Sequence, residues 1–345
     1  MKKVDILELV KPYSSVSIIG MQKNVGKTTV LNHMVEAARE KLTLGLTSIG
    51  RDGEEEDRVT ATTKPRIYVE RGTLIATSKE CLFNSDITKE ILRTTGIPTA
   101  MGEVVVVRAL SDGYVELGGP SLNTYMKLIC EELRALNCDM VLVDGALSRK
   151  SFASPAVTEA TILSTGAALG RNMDKVIGKT VHAYNLLSTS VEEDEEVLDL
   201  AGELPEEARI SIINKDKTVE VLELVTSLEG ARAVADNLTE HTSHVMIKGI
   251  VSDKLLEEIM KATDLFKRVV FLAEDGTKLF LSEDTIYKFK RMGGELRVIN
   301  PINVVCITCN PESPFGYKFS SEEFVNRLQE KVQVPVLDIV RRGGC

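Results

Sequence analysis

Apolar residues along this chain come in short runs, separated by stretches in which they recur at helical spacing. Residues 16–19 form an apolar run, and Val30, Leu31, Met34, Val35, Ala38 and Leu42 then follow with the period of one helix face. The pattern predicts a strand at 16–19, a helix at 28–41 and a second strand at 42–49. Two strands are expected at 67–70 and 73–77, turning at Arg71-Gly72, and another at 103–110 before Ser111-Asp-Gly113. Residues 123–136 read as a helix. The run 139–144 is then apolar up to Asp144-Gly145, and 160–166 is a further buried strand before a helix at 172–187. Runs without polar alternation typify parallel strands covered on both faces. The alternation continues with strands at 210–213, 245–251, 269–272, 296–299, 304–308 and 336–339, and helical stretches at 255–262 and 322–331. Strands alternating with helices predict an α/β fold with a mostly parallel sheet flanked by helices.

Length and composition narrow the class. The 345 residues suit one large or two ordinary domains, and 43% hydrophobic with 27% charged residues is a globular balance. A net charge of -9 disfavours nucleic acid as a partner, because phosphate neutralisation needs clustered Lys and Arg. The first residues carry Asp5 and Glu8 inside their apolar run, unlike a secretory signal, and no window reaches the roughly 20 apolar residues of a membrane span. A cytoplasmic protein with no membrane partner is expected. The six cysteines are scattered, as reduced thiols are. Cys306 and Cys309 form a CxxC inside an apolar run, where buried strand cysteines are a better reading than metal ligands.

The chemistry concentrates in Val16-Ser-Ile-Ile-Gly-Met-Gln-Lys-Asn-Val-Gly-Lys-Thr-Thr29. An apolar strand, a glycine-bounded turn and a helix start supply convergent backbone N–H groups for phosphate, the arrangement of a P-loop. Candidate nucleotide contacts are Gly20, Gln22, Lys23, Asn24, Val25, Gly26, Lys27, Thr28 and Thr29. Lys27 is placed to reach the outer phosphates of ATP, and the Thr28 hydroxyl to ligate Mg2+. Five residues separate Gly20 from Gly26, one more than the common pattern. That length resembles the loops of the dethiobiotin-synthetase and cobyric-acid-synthase branch of P-loop proteins. Lys23 lies four residues before Lys27, where the MinD-like branch places its signature lysine five before, so Lys23 is either a phosphate contact or a solvated loop lysine.

Asp144 closes a buried strand, where such proteins carry the acid that holds magnesium; the alternative is a turn former ahead of Gly145. Asp52 could face the metal or orient a water, or belong to a solvated acidic loop with its neighbours 54–57. Asn310, followed by Pro311 and later by Pro335-Val-Leu337, resembles the base-reading asparagine of the dethiobiotin-synthetase-like branch, with an ordinary turn asparagine as the other reading. Gly178-Lys179-Thr180 lies within a helical pattern and reads as chance. Asn214-Lys215-Asp216 lacks the spacer of the guanine-reading string. The acidic stretch 191–207 reads as a solvated helix face or connector, and His241 and His244 as surface residues.

Three stretches resemble the smaller subunits of lysine 5,6-aminomutase reactivases: residues 16–29, Val141-Leu-Val-Asp-Gly-Ala-Leu-Ser-Arg-Lys-Ser-Phe-Ala-Ser-Pro155, and Ala160-Thr-Ile-Leu-Ser-Thr-Gly-Ala-Ala-Leu-Gly170. The similarity runs to about residue 190, which sets the expected division: a nucleotide-binding core at 1–190, and a part at 191–345 that continues the same sheet and serves base recognition or partner docking. The resemblance implies a nucleotide-dependent helper that exchanges damaged cobalamin in an adenosylcobalamin-dependent aminomutase, with a larger MutS-like ATPase subunit as partner. Nucleotide-dependent ordering of residues 50–58 would be the switch, and Ser148, Arg149 and Lys150 are either its relay or a polar loop. The competing reading is a dethiobiotin-synthetase-like ATP-dependent ligase or kinase acting on a small carboxylate.

Overall fold

In the computed structural model, residues 5–49, 67–145, 157–205, 207–222 and 229–339 are described. Asp52, the acidic residues 54–57, the 50–58 loop and Ser148 to Lys150 lie outside them. No helix among the described residues is long and apolar enough to cross a membrane.

The chain divides into two compact units, one made of 1–181 with 303–345 and the other of 182–302. The first is built on a nine-stranded sheet in the order Val336–Asp338, Val304–Asn310, Ala160–Gly166, Ser15–Gly20, Met140–Asp144, Leu44–Ser48, Leu74–Ser78, Val104–Ala109, Lys89–Thr94. Every pairing up to Leu74–Ser78 is parallel, and the last two strands close the sheet antiparallel.

The central strands of this sheet are covered on both faces, which is why they carry no charge before Asp144 and alternate apolar residues only with small Ser, Thr and Gly. Leu142 packs on one side with Val16, Ile18, Leu31 and Met34, the last two from the helix Lys27–Ala38. Val141 and Val143 point the other way, against Met126, Ile129 and Leu133 of the helix Asn123–Ala135. That helix carries apolar residues three and four apart, and each fully buried Leu or Met contributes about 2 kcal/mol. The Ile67–Val69 segment does not pair with the strand that follows the Arg71-Gly72 turn. It pairs antiparallel with Gly113–Val115, while Leu74–Ser78 joins the large sheet.

The second unit holds a five-stranded sheet ordered Val219–Val221, Ile210–Asn214, Thr242–Ile247, Val270–Ala273, Glu295–Val298, antiparallel at the first two pairings and parallel thereafter. The expected division at 190 is therefore corrected. Residues 210–298 do not extend the first sheet but form their own, around Leu256, Ile259, Phe266, Phe271 and Phe289. Among the described residues after 190, only the strands Val304–Asn310 and Val336–Asp338 belong to the first sheet.

The acidic stretch is corrected as well. Its helix, Glu195–Glu203, is solvated on one face, but Glu192 is 3% exposed and accepts from the backbone N–H groups of Glu193 and Asp194. Its carboxylate also meets Arg297 at 3.0 Å and His244 Nε2 at 3.2 Å. Burial alone would raise the pKa of Glu192; those amides and the two basic side chains outweigh it and hold the carboxyl below its ordinary range. His244 is thus a buried member of this cluster and not a surface residue, whereas His241 is exposed.

Candidate functional site

The Ser15–Gly20 strand lies between Ala160–Gly166 and Met140–Asp144. From Ser15–Gly20 the chain crosses to Leu44–Ser48, on one side of the sheet, and from Met140–Asp144 it crosses to Ala160–Gly166, on the other. Opposite crossovers from adjacent parallel strands leave a crevice at their carboxyl ends, where open α/β sheets bind ligands. The sequence places Gly20 and Asp144 at those two ends.

The local sequence shapes the turn. Met21 N–H continues the sheet by donating to Ser164 O at 2.9 Å, and Val25, 1% exposed, anchors the loop in the core. Asn24 has φ 62° and Gly26 φ 92°, both left-handed, so the loop wraps tightly before the helix starts. Gly26 is the N-cap of Lys27–Ala38 and provides no side-chain cap, so the positive end of a 12-residue helix opens on this turn. A Cβ on Gly20 would stand 2.7 Å from Lys27 Cδ and 2.8 Å from Val25 Cγ2. The Lys27 stem therefore folds back across the glycine. Thr28 is half-buried and Thr29 exposed in the first turn of the helix, while Gln22, Lys23 and Asn24 are exposed.

Asp144 is registered with Ile18 on one neighbouring strand and Ser48 on the other. Its carbonyl accepts from Ile49 N–H at 3.0 Å and Ser48 Oγ at 3.3 Å, and Gly145 N–H donates to Ile18 O at 2.9 Å. This bonding holds the strand end in place, with the acid half-buried beside the strand that leads into the loop.

Asn310 is brought to the same loop from far along the chain. Its Nδ2 donates to Asn24 O at 3.2 Å and its Oδ1 accepts from Glu312 N–H at 3.0 Å. A Cβ on Gly166 would lie 2.6 Å from Asn310 O, so glycine is what lets these strand ends close up. The sequence marks Asn310 only through the resemblance to base-reading asparagines; its contact with the loop has no local sequence signal.

The remaining motif-like strings take structural places. Gly178 to Thr180 fall inside the helix Met173–Leu187, where Thr180 Oγ1 bonds Val176 O and Thr165 Oγ1. Asn214 to Asp216 form a turn in which Asn214 Nδ2 donates to Thr218 Oγ1. Cys306 and Cys309 are both buried in their strand, and burial pushes the Cys306 thiol up to about 12 and raises that of Cys309 as well. Among the described residues no group of three or more His, Cys, Asp or Glu side chains could by itself hold a metal ion.

Comparison of the chain with protein-family models, curated proteins and solved structures finds no match. What is established is an α/β protein with a large, mostly parallel sheet flanked by helices, with a tight glycine-bounded turn at the crevice of that sheet.

Proposed function

We propose that this chain is a P-loop nucleotide-binding protein that takes up magnesium-bound ATP at residues 20–29 and uses ATP binding and hydrolysis to act on a partner protein. The observation that carries the reading is the cradle at the strand-to-helix junction. Gly26 starts the helix in a left-handed conformation with no side-chain cap, and the Lys27 stem folds over Gly20. A triphosphate is the ligand that needs both features, because its oxygens take backbone N–H donors and a mobile cation together.

On this reading magnesium arrives with the nucleotide, since its phosphate oxygens supply ligands that the chain alone does not gather among the described residues. The Thr28 hydroxyl and the Asp144 carboxylate would hold the ion, which would supply neutralisation of the phosphate charge. Lys27 binds and orients the terminal phosphate. The backbone amides of the turn hold the inner ones and exclude water from them. These hydrogen bonds to charged oxygens are each stronger than neutral ones, so removing Lys27 costs more than removing any neutral contact.

The partner assignment rests on the resemblance of residues 16–29, 141–155 and 160–170 to the small subunits of lysine 5,6-aminomutase reactivases. On that reading the chain works with a MutS-like ATPase subunit to open an adenosylcobalamin-dependent aminomutase for cofactor exchange. A ligand can drive such an opening only through different affinities for two states, which ATP and its hydrolysis product offer.

Calorimetry with Mg2+ and each common nucleotide tests the binding step. Lys27→Ala is expected to weaken ATP binding by about 100-fold, the equivalent of losing a charged hydrogen-bonding partner. No heat with the wild-type chain and any nucleotide would end the reading. Inactivated aminomutase supplied with fresh adenosylcobalamin, ATP and the larger subunit should then recover with the wild-type chain and not with Lys27→Ala. Phosphorylation of a small carboxylic acid by the chain alone would transfer the assignment to the ligase or kinase class.

A further inference from the structure

We propose that Asn310 is a positioning residue of the phosphate loop and does not read the base; the proposal rests on the nucleotide reading above. An asparagine that recognises a base presents both ends of its amide to the ring. Here each end of the amide already makes one bond within this chain. The Nδ2 group donates to Asn24 O at 3.2 Å, and Oδ1 accepts from Glu312 N–H at 3.0 Å, two residues further on. The second bond is the local turn that asparagine favours, and it fixes the side-chain rotamer that makes the first.

The place of the contact explains what it does. Asn24 has φ 62°, a conformation that costs an L-residue energy, and Gly26 has φ 92° two residues later. Asn310 braces the backbone between them: its amide holds the Asn24 carbonyl, and its Cβ lies 3.3 Å from where a Cβ on Gly26 would stand. Asn310 is itself fixed by its strand, registered against Gly166 at a separation only glycine permits. The amide therefore links a rigid strand end to the turn whose N–H groups must converge on phosphate. Preorganising those donors strengthens binding of any ligand with a polyphosphate, whatever base it carries.

The test uses the full chain, Mg2+ and three ligands: ATP, GTP and inorganic tripolyphosphate, which has no base. Loss of one neutral hydrogen bond corresponds to about 5-fold in affinity. Asn310→Ala is expected to weaken all three ligands by about that factor and to leave the ratio of ATP to tripolyphosphate affinity unchanged. Asn310→Ser retains a hydroxyl that can accept from Glu312 N–H but cannot reach Asn24, and it should behave like Asn310→Ala. It also carries the test if Asn310→Ala does not fold. A loss confined to ATP or GTP, or a changed ratio between them with tripolyphosphate binding intact, would make Asn310 a base reader and overturn the proposal. Unchanged affinity for all three would show the amide contact to be incidental and overturn it equally. A wild-type chain that binds none of the three overturns the nucleotide reading, and this proposal with it.

Discussion

Each unit of this protein contains a buried strand running through a glycine turn into a helix, and the two turns treat the helix start in opposite ways. In the second unit, Thr242–Ile247 leads through Gly249, φ 122°, to the helix Asp253–Ala262. Ser252 caps that helix by accepting from Leu255 N–H at 3.3 Å. Gly249 N–H donates to the carboxylate of Glu274 at 3.0 Å, and Lys278 pairs with the same carboxylate at 3.3 Å. The chain supplies its own anion and its own cap there. In the first unit, Ser15–Gly20 leads through Gly26 to Lys27–Ala38 with no side-chain cap, and a lysine lies across the turn. A turn that completes its own polar contacts is a structural joint. One that gathers a helix start and a cation without a side-chain cap is shaped for an anion from outside.

The largest expected effect that sharpens this contrast comes from Gly20→Ala. The added methyl would meet Lys27 Cδ at 2.7 Å and the buried Val25 Cγ2 at 2.8 Å, so the lysine stem must leave its path over the turn and the loop anchor must shift with it. Nucleotide affinity should fall by about 30-fold, short of the full loss of Lys27, with the far-ultraviolet spectrum unchanged. Retained affinity would mean that the folded-back lysine is not what holds the phosphates.

Next in size is Glu274→Ala, which removes the internal anion of the second turn and leaves Gly249 N–H and Lys278 without their carboxylate. Charge-assisted hydrogen bonds at half-exposed sites put the cost at about 1.5 kcal/mol of stability. Millimolar sulfate should then restore part of the loss in the variant and do little for the wild type, because a ligand that binds only the folded form stabilises it by mass action. Absence of any sulfate response would show that the second turn is no anion site even when emptied, and the likeness of the two turns would end with their backbone.

How far these features were readable differs from element to element. Residues 140–143 and 160–166 were legible as strands because they carry only apolar and small residues and no charge, as strands covered on both faces do. Lys89–Thr94 was not, since an antiparallel edge strand exposes its charged residues and loses the period that marks it. The chain order also gives no hint that residues 304–310 and 336–338 return to the first sheet after 210–298 have built another. At the loop, Gly26, Lys27 and Thr28 are adjacent in sequence and were visible at once. Asn310 meets Asn24 across a separation of 286 residues, so the sequence suggested only a kinship with base readers and the contact itself came from the fold. Glu192 and His244 are likewise hidden in the sequence: each is an ordinary surface residue type, and the packing that joins them and Arg297 is what buries them.

The smallest effect tests the cap itself. Ser252→Ala removes the acceptor for Leu255 N–H, and an N-cap serine is worth about 1 kcal/mol. Asp253, the first helical residue, lies inside the helix and is held toward Ser282, whose N–H and Oγ its Oδ1 accepts at 2.8 Å and 3.2 Å. Thermal unfolding should therefore shift down by about 2–4 °C, while nucleotide affinity stays at the wild-type value. Both halves of that result are needed. An unchanged melting point would mean that the serine adds nothing and that a missing cap says little about the first helix. A fall in nucleotide affinity would mean that the second turn contributes to binding, and the division into one structural joint and one ligand site would no longer describe the molecule.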